Sequence, residues 1–429
     1  MKLSKRYKIS LFFTIGILLI LLIFFKFSDE QKSKIFVNKY IWPYTPIKIQ
    51  VLVKTIFKEK YLNQFLNDYN VKFIPETQTT NLDFKKYKLD FIIGTSGIYN
   101  KNTSRKTFFI EKINNDIWII DIKGTVYELD NLKEVKVNKS ISNYKKISNN
   151  LKPYQVLDTF SDDGKIYISY VSKKDDCFQF NISSAKINDK NLEFDYFFSP
   201  KECMKSTIQG GRIQKYIHND NIGLIFTIGD SSTPDFIGGD AQDDKSIYGK
   251  IIFKSLTDVD KEKYILFSKG HRNPQGLFVD EFNNILSTEH GPRGGDEINK
   301  IIFKKNYGWP VASYGESYFS KDIEYKKNHE ENGFYEPIFS FIPSIGISEI
   351  ILVPNEFSKK WENNYLVASL NDKSVYRVKL SKNLNKILYI EKIFIGERIR
   401  DLKFDKESNK ILLALETYGN LATLENNKK

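Results

Sequence analysis

The sequence predicts an all-β fold, most simply a β-propeller, behind an N-terminal transmembrane helix and a short stem. Short apolar strands alternate with polar turns, and such units recur roughly every 40–60 residues. Helical periodicity is nearly absent between them. Several separate units end in polar residues, which is expected when the inner strands of propeller blades deliver side chains to one shared site. A β-sandwich is the alternative for regular short strands.

The first 27 residues are predicted to be a cytoplasmic basic tail and an uncleaved signal anchor. Four basic residues precede an uncharged apolar run over residues 9–25, which is about long enough for a short membrane span. A cleaved signal peptide, the alternative, ends in small residues, whereas this run is followed by KFSDEQKSK. Because the basic flank stays in the cytoplasm, we expect a single-pass membrane protein whose body is extracytoplasmic, in the periplasm of a bacterium with two membranes.

Residues 28–75 are predicted to form a membrane-proximal stem, and residues 76–429 the propeller. Pro43 and Pro46 exclude one long helix in the first half of the stem. The stretch KEKYLNQFLNDYN near its end has the pattern of a short amphipathic helix.

The body contains six segments in which a polar turn leads into an apolar strand. Gly, Asn and Asp mark the turns, and Ile, Val, Leu, Phe and Tyr fill the strands. The segments are DIWIIDIKGTVYELD, DTFSDDGKIYISYVS, NDNIGLIFTIGD, DEFNNILSTEHGP, SKKWENNYLVASLNDKSVYRVKL and DKESNKILLALE.

The composition indicates a folded chain with no affinity for nucleic acid. Of its 429 residues, 41% are hydrophobic and 14% aromatic, which argues against extensive disorder. The formal net charge is +12, but the lysines are spread along the chain and interleaved with acids. A nucleic-acid-binding protein concentrates basic residues on one element or patch, so we expect no such partner. The oligomeric state is not predicted.

The two cysteines are consistent with the exported location. Cys177 and Cys203 bracket a polar stretch, and an even pair outside the cytoplasm predicts one disulfide. Two unpaired thiols are the alternative. Neither cysteine belongs to a CxxC motif, which argues against metal or redox chemistry at this pair.

Three polar motifs follow one another between residues 270 and 315, namely GHRNPQGL, STEHGPRGGDEIN and KKNYGWPVASYG. With TFSDDGKIYISYV, GGRIQKYIHNDNIGLIFTIGD, AQDDKSIYGKII and ERIRDLKFD, they resemble the glucose/sorbosone dehydrogenase family, in the family's order, from about residue 107 to residue 424. The resemblance implies a six-bladed propeller that uses pyrroloquinoline quinone (PQQ) and Ca²⁺ to oxidise a sugar or alcohol.

The resemblance also implies roles for individual residues. Arg398 and Arg400 would bind the carboxylates of PQQ, because guanidinium is a planar bidentate donor. Two residues apart on a strand, they point to the same face. The carbonyls of Gly291 and Pro292 would bind Ca²⁺, which prefers oxygen ligands. The remaining assignments are Arg272 and Asn273 as donors at the reacting carbonyl, Gln275 and His290 as cofactor contacts, and Asp296 and Glu297 as ligands of a structural calcium or braces of their loop.

Each residue also has a simpler reading. The glycines and Pro292 could form a tight turn, Asp296 and Glu297 a solvated pair, and the two arginines surface ion pairs. Two other histidines, His218 and His329, are predicted to lie at the surface.

The sequence departs from the family at two places. The family's general base is a His four residues before the Arg of the GGR motif, and this chain has Ile208 there. Relatives carry a cofactor-binding Lys after the SL of ASLNDK, where this chain has Asn371, with Lys373 two residues on, a spacing that would place both side chains on the same face of a strand. Two hypotheses follow: a dehydrogenase with an altered base, or a propeller that binds ligand without turnover. A hydrolytic propeller is weaker, because its candidate acids Glu289, Asp296 and Glu297 all lie on one loop.

Overall fold

The fold is a six-bladed β-propeller, as the sequence and the resemblance predict. The structure is a computed structural model, and it describes residues 72–74, 82–92, 94–97, 100–129, 132, 137–188, 190–204, 209–230, 239–317 and 324–426. The predicted anchor, the predicted amphipathic helix and Ile208 lie outside these residues. Within the described part of the chain, no helix is long and apolar enough to span a membrane.

Four strands precede the first blade, and three blades follow in chain order. The leading strands are β1 (Lys72–Ile74), β2 (Leu82–Lys88), β3 (Thr95–Gly97) and β4 (Asn100–Arg105). Blade one is built from β5 (Phe108–Ile113), β6 (Asp116–Asp121), β7 (Val126–Leu129) and β8 (Tyr144–Asn149). Blade two is built from β9 (Gln155–Asp162), β10 (Lys165–Lys174), β11 (Cys177–Lys186) and β13 (Asp195–Phe198). The short strand β12 (Asn191–Leu192), between β11 and β13 in the chain, pairs with β8 of blade one. Blade three is β14 (Gly210–His218), β15 (Asn221–Ile228), β16 (Lys250–Ser255) and β17 (Ile265–Lys269).

The last three blades follow the same antiparallel order. Blade four is β18 (Pro274–Val279), β19 (Ile285–Glu289), β20 (Asp296–Ile301) and β21 (Phe339–Phe341). Blade five is β22 (Ile347–Leu352), β23 (Asn364–Ser369), β24 (Ser374–Leu380) and β25 (Ile387–Phe394). Blade six is β26 (Ile399–Asp405), β27 (Lys410–Leu415) and β28 (Asn420–Asn426), completed by β2. Short 3₁₀ helices occur at Asp240–Gln242, Glu330–Asn332 and Lys359–Trp361.

The innermost strands form a closed ring. Each of β5, β9, β14, β18, β22 and β26 contacts the next, and β26 contacts β5. Strand β2 pairs with β28 along its whole length, so blade six combines the two ends of the described chain and closes the ring. Strand β1, from the predicted stem, adds a parallel fifth strand to blade five at β25.

The apolar core is divided among the six interfaces between neighbouring blades. Each of the six largest hydrophobic clusters takes side chains from two adjacent blades, for example Phe180 of blade two and Phe226 of blade three, whose rings stack 6.0 Å apart. Where both faces of a blade are covered, a strand is buried along its whole length, as β19 and β23 are, whereas strands nearer the rim such as β8 keep exposed residues. In β6, Ile117, Trp118, Ile119 and Ile120 are all buried.

The predicted disulfide is confirmed. Cys177, at the start of β11, is bonded to Cys203, and the Cα atoms are 5.5 Å apart. Beside it, the backbones of Phe178 and Met204 exchange two hydrogen bonds of 2.7 and 2.8 Å. The disulfide therefore ties the segment that leads into β14 to blade two.

The prediction that His218 and His329 lie at the surface is wrong. His218 is 8% exposed, because its ring packs among Tyr216, Phe253, Phe267 and Phe303. His329 is 1% exposed, and its Nε2 lies 3.6 Å from Glu297. An isolated histidine in a polar stretch gives no signal of such packing.

Candidate active site

Three of the predicted cofactor residues, Arg398, Arg400 and Gln275, lie together where the inner strands β18 and β26 begin. Arg400 NH1 donates to Gln275 Oε1 at 2.7 Å, which joins blade six to blade four. Arg400 lies at a β-bulge, because the pairing of β26 with β27 shifts between Ile399 and Asp401. The bulge turns its side chain to the same carboxylate as Arg398, although Arg398 precedes the strand.

A buried carboxylate holds both arginines. Arg398 Nε donates to Glu416 Oε1 at 2.7 Å, and Arg400 Nε donates to Glu416 Oε2 at 2.9 Å. Glu416 is fully buried, and Thr107 donates a third hydrogen bond to it at 3.1 Å. Burial alone would raise the pKa of Glu416, but Arg400 and Arg398 outweigh it and lower the pKa to about 2.

Each arginine is thus anchored through Nε, with terminal nitrogens left for other partners. Among the described residues, no side chain accepts from the terminal nitrogens of Arg398. The Arg398 and Arg400 side chains are 20% and 16% exposed. The reading of these arginines as surface ion pairs does not describe this arrangement, because their shared partner is buried.

Arg398, Arg400, Gln275 and Asn273 are here called the floor of the site, and a row of side-chain hydrogen bonds extends across it from Arg400. Gln275 Nε2 donates to Asn273 Oδ1 at 2.7 Å, and Asn273 Nδ2 donates to Gln209 Oε1. Arginine can only donate, so the Gln275 oxygen must face Arg400, and this fixes the direction of the whole row. The row orients Asn273 and Gln275 before any ligand arrives.

Arg272 covers the loop that follows β19. Its NH1 donates to the carbonyls of His290 at 3.2 Å and Gly291 at 2.9 Å. Its guanidinium carbon lies 5.2 Å from the centre of the Trp309 ring, and Trp309 Nε1 donates to Asp230 at 2.9 Å. Gly291 allows this close packing, since a Cβ there would lie 2.2 Å from the carbonyl oxygens of Gly294 and Gly295.

Asp296 braces this loop. It is fully buried, and it accepts from the backbone N–H of Gly291 at 3.0 Å, the N–H of Ile347 at 3.0 Å and the Ser344 hydroxyl. These three donors occupy both carboxylate oxygens, which favours the bracing role over a metal-binding role. The reading of Asp296 and Glu297 as a solvated pair is wrong, because both are buried.

Glu297 lines a small cavity beside the loop that follows β19. The cavity is lined by Arg272, Glu289, His290, Glu297, Trp309 and His329, among others. Burial, reinforced by Glu289, raises the pKa of Glu297 well above its ordinary value, and Asn299 donates to it at 3.2 Å. Glu289 in turn accepts from the Arg272 N–H and lies 3.0 Å from His271 Nδ1.

His290 presents an unused nitrogen. Its backbone N–H donates to the Asn273 carbonyl at 3.0 Å, but its buried Nε2 has no hydrogen-bond partner among the described residues. Burial, with Arg272, Arg400 and Arg398 adding to it and Asp296 opposing, lowers the pKa of His290 to about 4. The imidazole is therefore neutral at pH 7.

Comparison with known proteins shows the family to which this chain belongs. The family model described as Glucose / Sorbosone dehydrogenase matches residues 102–423. The chain belongs to the glucose/sorbosone dehydrogenase family.

Curated relatives within this family match the chain in part. It is 33% identical to an aldose sugar dehydrogenase of Escherichia coli over 196 residues, 42% of this chain and 52% of that protein. It is 32% identical to an uncharacterized protein of Synechocystis over 219 residues, 47% of this chain and 53% of that protein. The chain thus spans about half the length of these two relatives.

Solved structures share the fold along most of the chain. The apo-form of the soluble aldose sugar dehydrogenase from Escherichia coli superposes with a TM-score of 0.62 at 21% identity, covering 80% of this chain and 99% of that one. The PQQ-bound form of an aldose sugar dehydrogenase from Streptomyces coelicolor gives 0.54 at 18% identity, covering 80% and 98%. At these identities the likeness concerns the fold alone.

The two departures from the family pattern are placed differently. Ile208 lies outside the described residues, next to Gln209, which contacts Asn273. Asn371 and Lys373 are exposed and lie in the turn between β23 and β24, where Lys373 has φ = 56°. Because the turn does not alternate like a strand, the spacing of two residues does not place them on one face. The cofactor roles of both residues remain predictions.

The sequence did not predict the cluster of buried charged side chains around Arg212, which lies beneath the floor of the site. Arg212 NH1 lies 2.8 Å from Asp158, 2.6 Å from Glu349 and 3.0 Å from Asp401. These carboxylates, which are within 4.8 Å of one another, come from three different blades. Burial raises the pKa of Glu349 to about 8 and that of Asp158 to about 6, although Arg212 opposes both shifts. The acids of the weaker hydrolase hypothesis do not belong to this cluster, and the Arg212 guanidinium pairs with all three of its carboxylates.

Proposed function

We propose that this chain is a PQQ-dependent dehydrogenase that oxidises a sugar or alcohol with the assistance of Ca²⁺, tethered to a membrane with its body outside the cytoplasm. The observation that carries the proposal is the pair Arg398 and Arg400, fixed side by side on the buried Glu416 in a chain of this family. A third guanidinium, that of Arg272, precedes β18 and contacts the loop that follows β19, here called the blade-four loop. The named relatives are aldose sugar dehydrogenases, which agrees with a sugar substrate.

The residues fit PQQ. Its carboxylates need planar cationic donors, and the terminal nitrogens of Arg398 have no acceptor among the described residues. Gln275 is held by Arg400 and Asn273, and the unpartnered Nε2 of neutral His290 offers a further contact. A site that holds its donors before the ligand arrives loses little entropy on binding.

The backbone of the blade-four loop fits Ca²⁺. The carbonyls of Gly291 and Pro292 would hold the ion, and the Gly291 carbonyl, which accepts from Arg272, keeps a second lone pair. PQQ with Ca²⁺ supplies a hydride acceptor whose carbonyl is polarised by a cation. Arg272 and Asn273 would orient the cofactor and stabilise negative charge near it.

The chain lacks the general base that the family pattern places before the GGR motif. Isoleucine at position 208 cannot take the proton of a sugar hydroxyl, and loss of a general base costs about 10²–10⁴ in rate. We therefore expect slow turnover of aldoses. This substitution is also the observation that favours the second candidate function, a module that binds its ligand without turnover.

The membrane tether rests on the sequence, and the disulfide supports the side on which the body lies. The apolar run over residues 9–25 has a basic N-terminal flank. The Cys177–Cys203 disulfide favours an oxidising compartment. Protease added to intact spheroplasts should degrade the body. Survival of the body until the membrane is lysed would contradict this orientation.

Titration of the protein with PQQ at millimolar Ca²⁺, followed by absorbance, tests the cofactor. We expect saturable binding, abolished in Arg400→Ala and kept in Arg377→Ala. Arg377 is a suitable control because it pairs with Glu391 at 2.6 Å in blade five, away from the floor. If the unmodified protein binds no PQQ, the dehydrogenase proposal fails.

Aldose turnover by the PQQ-loaded protein separates the two candidate functions. Ile208→His should raise a slow rate if the proton acceptor is the missing part. Ile208→Leu is the matched control and should leave the rate as it was. Binding of PQQ with no turnover in any of these proteins would support the binding module. Brisk turnover by the unmodified chain would mean that another group acts as base.

A further inference from the structure

Arg212, on β14 of blade three, contacts each of the other five blades of the propeller. It is 3% exposed, and its guanidinium lies 5.5 Å from the Phe109 ring of blade one. It pairs with Asp158 of blade two, Glu349 of blade five and Asp401 of blade six. Its Nε donates to the backbone carbonyl of Gln275, in blade four, at 2.7 Å.

The Arg212 side chain donates to two backbone carbonyls, and both carbonyls belong to residues of the proposed cofactor floor. Besides the Gln275 carbonyl, it binds the Arg400 carbonyl through NH2 at 2.7 Å. The side chains of Gln275 and Arg400 are hydrogen-bonded to each other above these carbonyls. One guanidinium therefore fixes, from below, the backbone positions of two neighbouring floor residues that belong to different blades.

The start of β14 is built to direct this side chain to the axis. The N–H groups of Gly211 and Arg212 both donate to Thr227 Oγ1, at 3.1 and 3.0 Å, and Thr227 donates to the Pro274 carbonyl at 3.0 Å. Gly210 and Gly211 have positive φ angles of 79° and 98°, which L side chains rarely adopt. The GGR motif thus supplies the backbone turn that Arg212 needs.

We propose that Arg212 is a positioning residue for cofactor binding, which sets the relative placement of Gln275 and Arg400 and thereby the affinity of the floor for an anionic cofactor. The proposal rests on the proposed function. Arg212 itself lies beneath the floor and acts through the two carbonyls. A merely structural role would predict loss of stability without a matching loss of affinity.

The geometry requires arginine rather than a generic cation. Nε, NH1 and NH2 of Arg212 each serve different acceptors, spread around the planar fork. A lysine ammonium keeps the charge among the carboxylates, but it carries all its donors on one atom and cannot hold both carbonyls in this arrangement. Arg212→Lys therefore separates charge from positioning.

The test measures PQQ affinity and thermal stability in three proteins at millimolar Ca²⁺. Arg212→Lys should raise the Kd for PQQ by about tenfold or more, since charge-assisted hydrogen bonds to the floor are lost. Arg377→Lys is the matched control, because Arg377 is also largely buried and bonded to Glu391, Tyr389 and Asn364. It should lower the melting temperature while leaving the Kd within about twofold.

A double-mutant cycle with Gln275→Ala measures the coupling between Arg212 and Gln275 in PQQ affinity, which a general loss of stability does not change. If Arg212 acts through Gln275, Arg212→Lys should cost less affinity in the Gln275→Ala background than in the unmodified protein. Additive effects in the cycle, or equal Kd values for Arg212→Lys and the unmodified protein, would overturn the proposal.

Thr227→Val covers the case in which Arg212→Lys does not fold. This change is nearly isosteric and leaves the floor side chains themselves unaltered. It removes the acceptor of the Gly211 and Arg212 N–H groups together with the hydrogen bond that Thr227 donates to the Pro274 carbonyl, so it tests the start of β14 as the support of Arg212 and the floor. A rise in Kd of about threefold or more supports the positioning role, and an unchanged Kd contradicts it. Failure of the unmodified protein to bind PQQ would instead remove the proposed function, so the two failures are distinguishable.

Discussion

At the scale of single residues, the site is organised by acids that its ligand would not touch. Glu416 carries no feature in the sequence beyond its place at the end of an apolar strand, yet it fixes two arginines. Anionic ligands bind well to guanidinium groups that are already oriented, because less side-chain entropy is lost on binding. The low pKa of Glu416 means that this anchor stays ionised throughout the physiological range.

Glu416→Gln should weaken both the floor and the fold. An amide offers one acceptor oxygen and would turn a donor toward one of the two arginine Nε groups. We expect the Kd for PQQ to rise by about tenfold or more and the free energy of unfolding to fall by about 1–3 kcal/mol. Absorbance titration and urea unfolding measure these changes.

Glu391→Gln is the control for this change. Glu391 is buried and bonds Arg377 at 2.6 Å, so its removal should reduce stability without altering PQQ affinity. Equal affinity losses in both variants would mean that the effect passes through global stability rather than the floor.

Sequence motifs predicted the residues that face the site better than those that support it. Arg400, Gln275 and Asn273 were predicted from motifs and are adjacent in the structure. Asp158, Glu349 and Asp401 meet Arg212 only because the ring brings distant strands together. Arg212 and Asp401 stand in quoted motifs, but nothing in the local sequence indicates that these side chains contact one another. A single acid on a strand is more often solvated, so it attracts no attention by itself.

At the scale of elements, turn chemistry made the hairpins predictable. All six predicted turn-and-strand segments are confirmed, including β9 and β10 around Asp163 and Gly164. The pairings of β1 with β25 and β2 with β28 were not predicted, because each joins strands that are hundreds of residues apart and neither strand has a distinctive pattern.

Two glycines at positive φ should respond differently to alanine. Gly164 has φ = 68° and open space around it, so Gly164→Ala should cost about 1 kcal/mol of unfolding free energy from backbone strain alone. Gly211 has φ = 98°, and a Cβ there would lie 2.3 Å from Leu157 Cβ. Gly211→Ala should therefore cost about 2 kcal/mol more than Gly164→Ala. Urea unfolding of both variants measures the difference, and equal costs would contradict the packing described for the start of β14.

At the scale of the whole molecule, the axis of the propeller is polar while the interfaces between blades are apolar. The inner strands contribute Glu111, Asp158, Glu349, Asp401, Arg212 and Lys403 to contacts between acids and cations near the axis, and of these side chains only that of Lys403, at 27%, is substantially exposed. Four carboxyl groups face two cations, so a low-dielectric interior favours retention of protons by some of the acids. Burial raises the pKa of Glu111 to about 7, and Lys403 opposes this shift.

Stability should consequently fall as the pH rises through neutrality. Burial raises the pKa of Glu349 to about 8, above its ordinary value, with Asp401 and Asp158 adding to the shift and Arg212 opposing it. Between the ordinary carboxyl pKa and about 8, the folded protein holds a proton that the unfolded chain has released. The stability contributed by this group is present below the unfolded pKa and is lost as the pH rises through the folded pKa.

Glu349→Gln should flatten this pH dependence, because the amide keeps the volume and cannot titrate. We expect the free energy of unfolding to decline less steeply between about pH 5 and pH 8 than in the unmodified protein, by up to about 1.4 kcal/mol per pH unit. Glu262→Gln, at an exposed position, should leave the slope unchanged. Urea unfolding at several pH values measures these slopes. An unchanged slope in Glu349→Gln would show that Arg212 keeps Glu349 ionised, and the proton would then have to be held by Glu111 or Asp158.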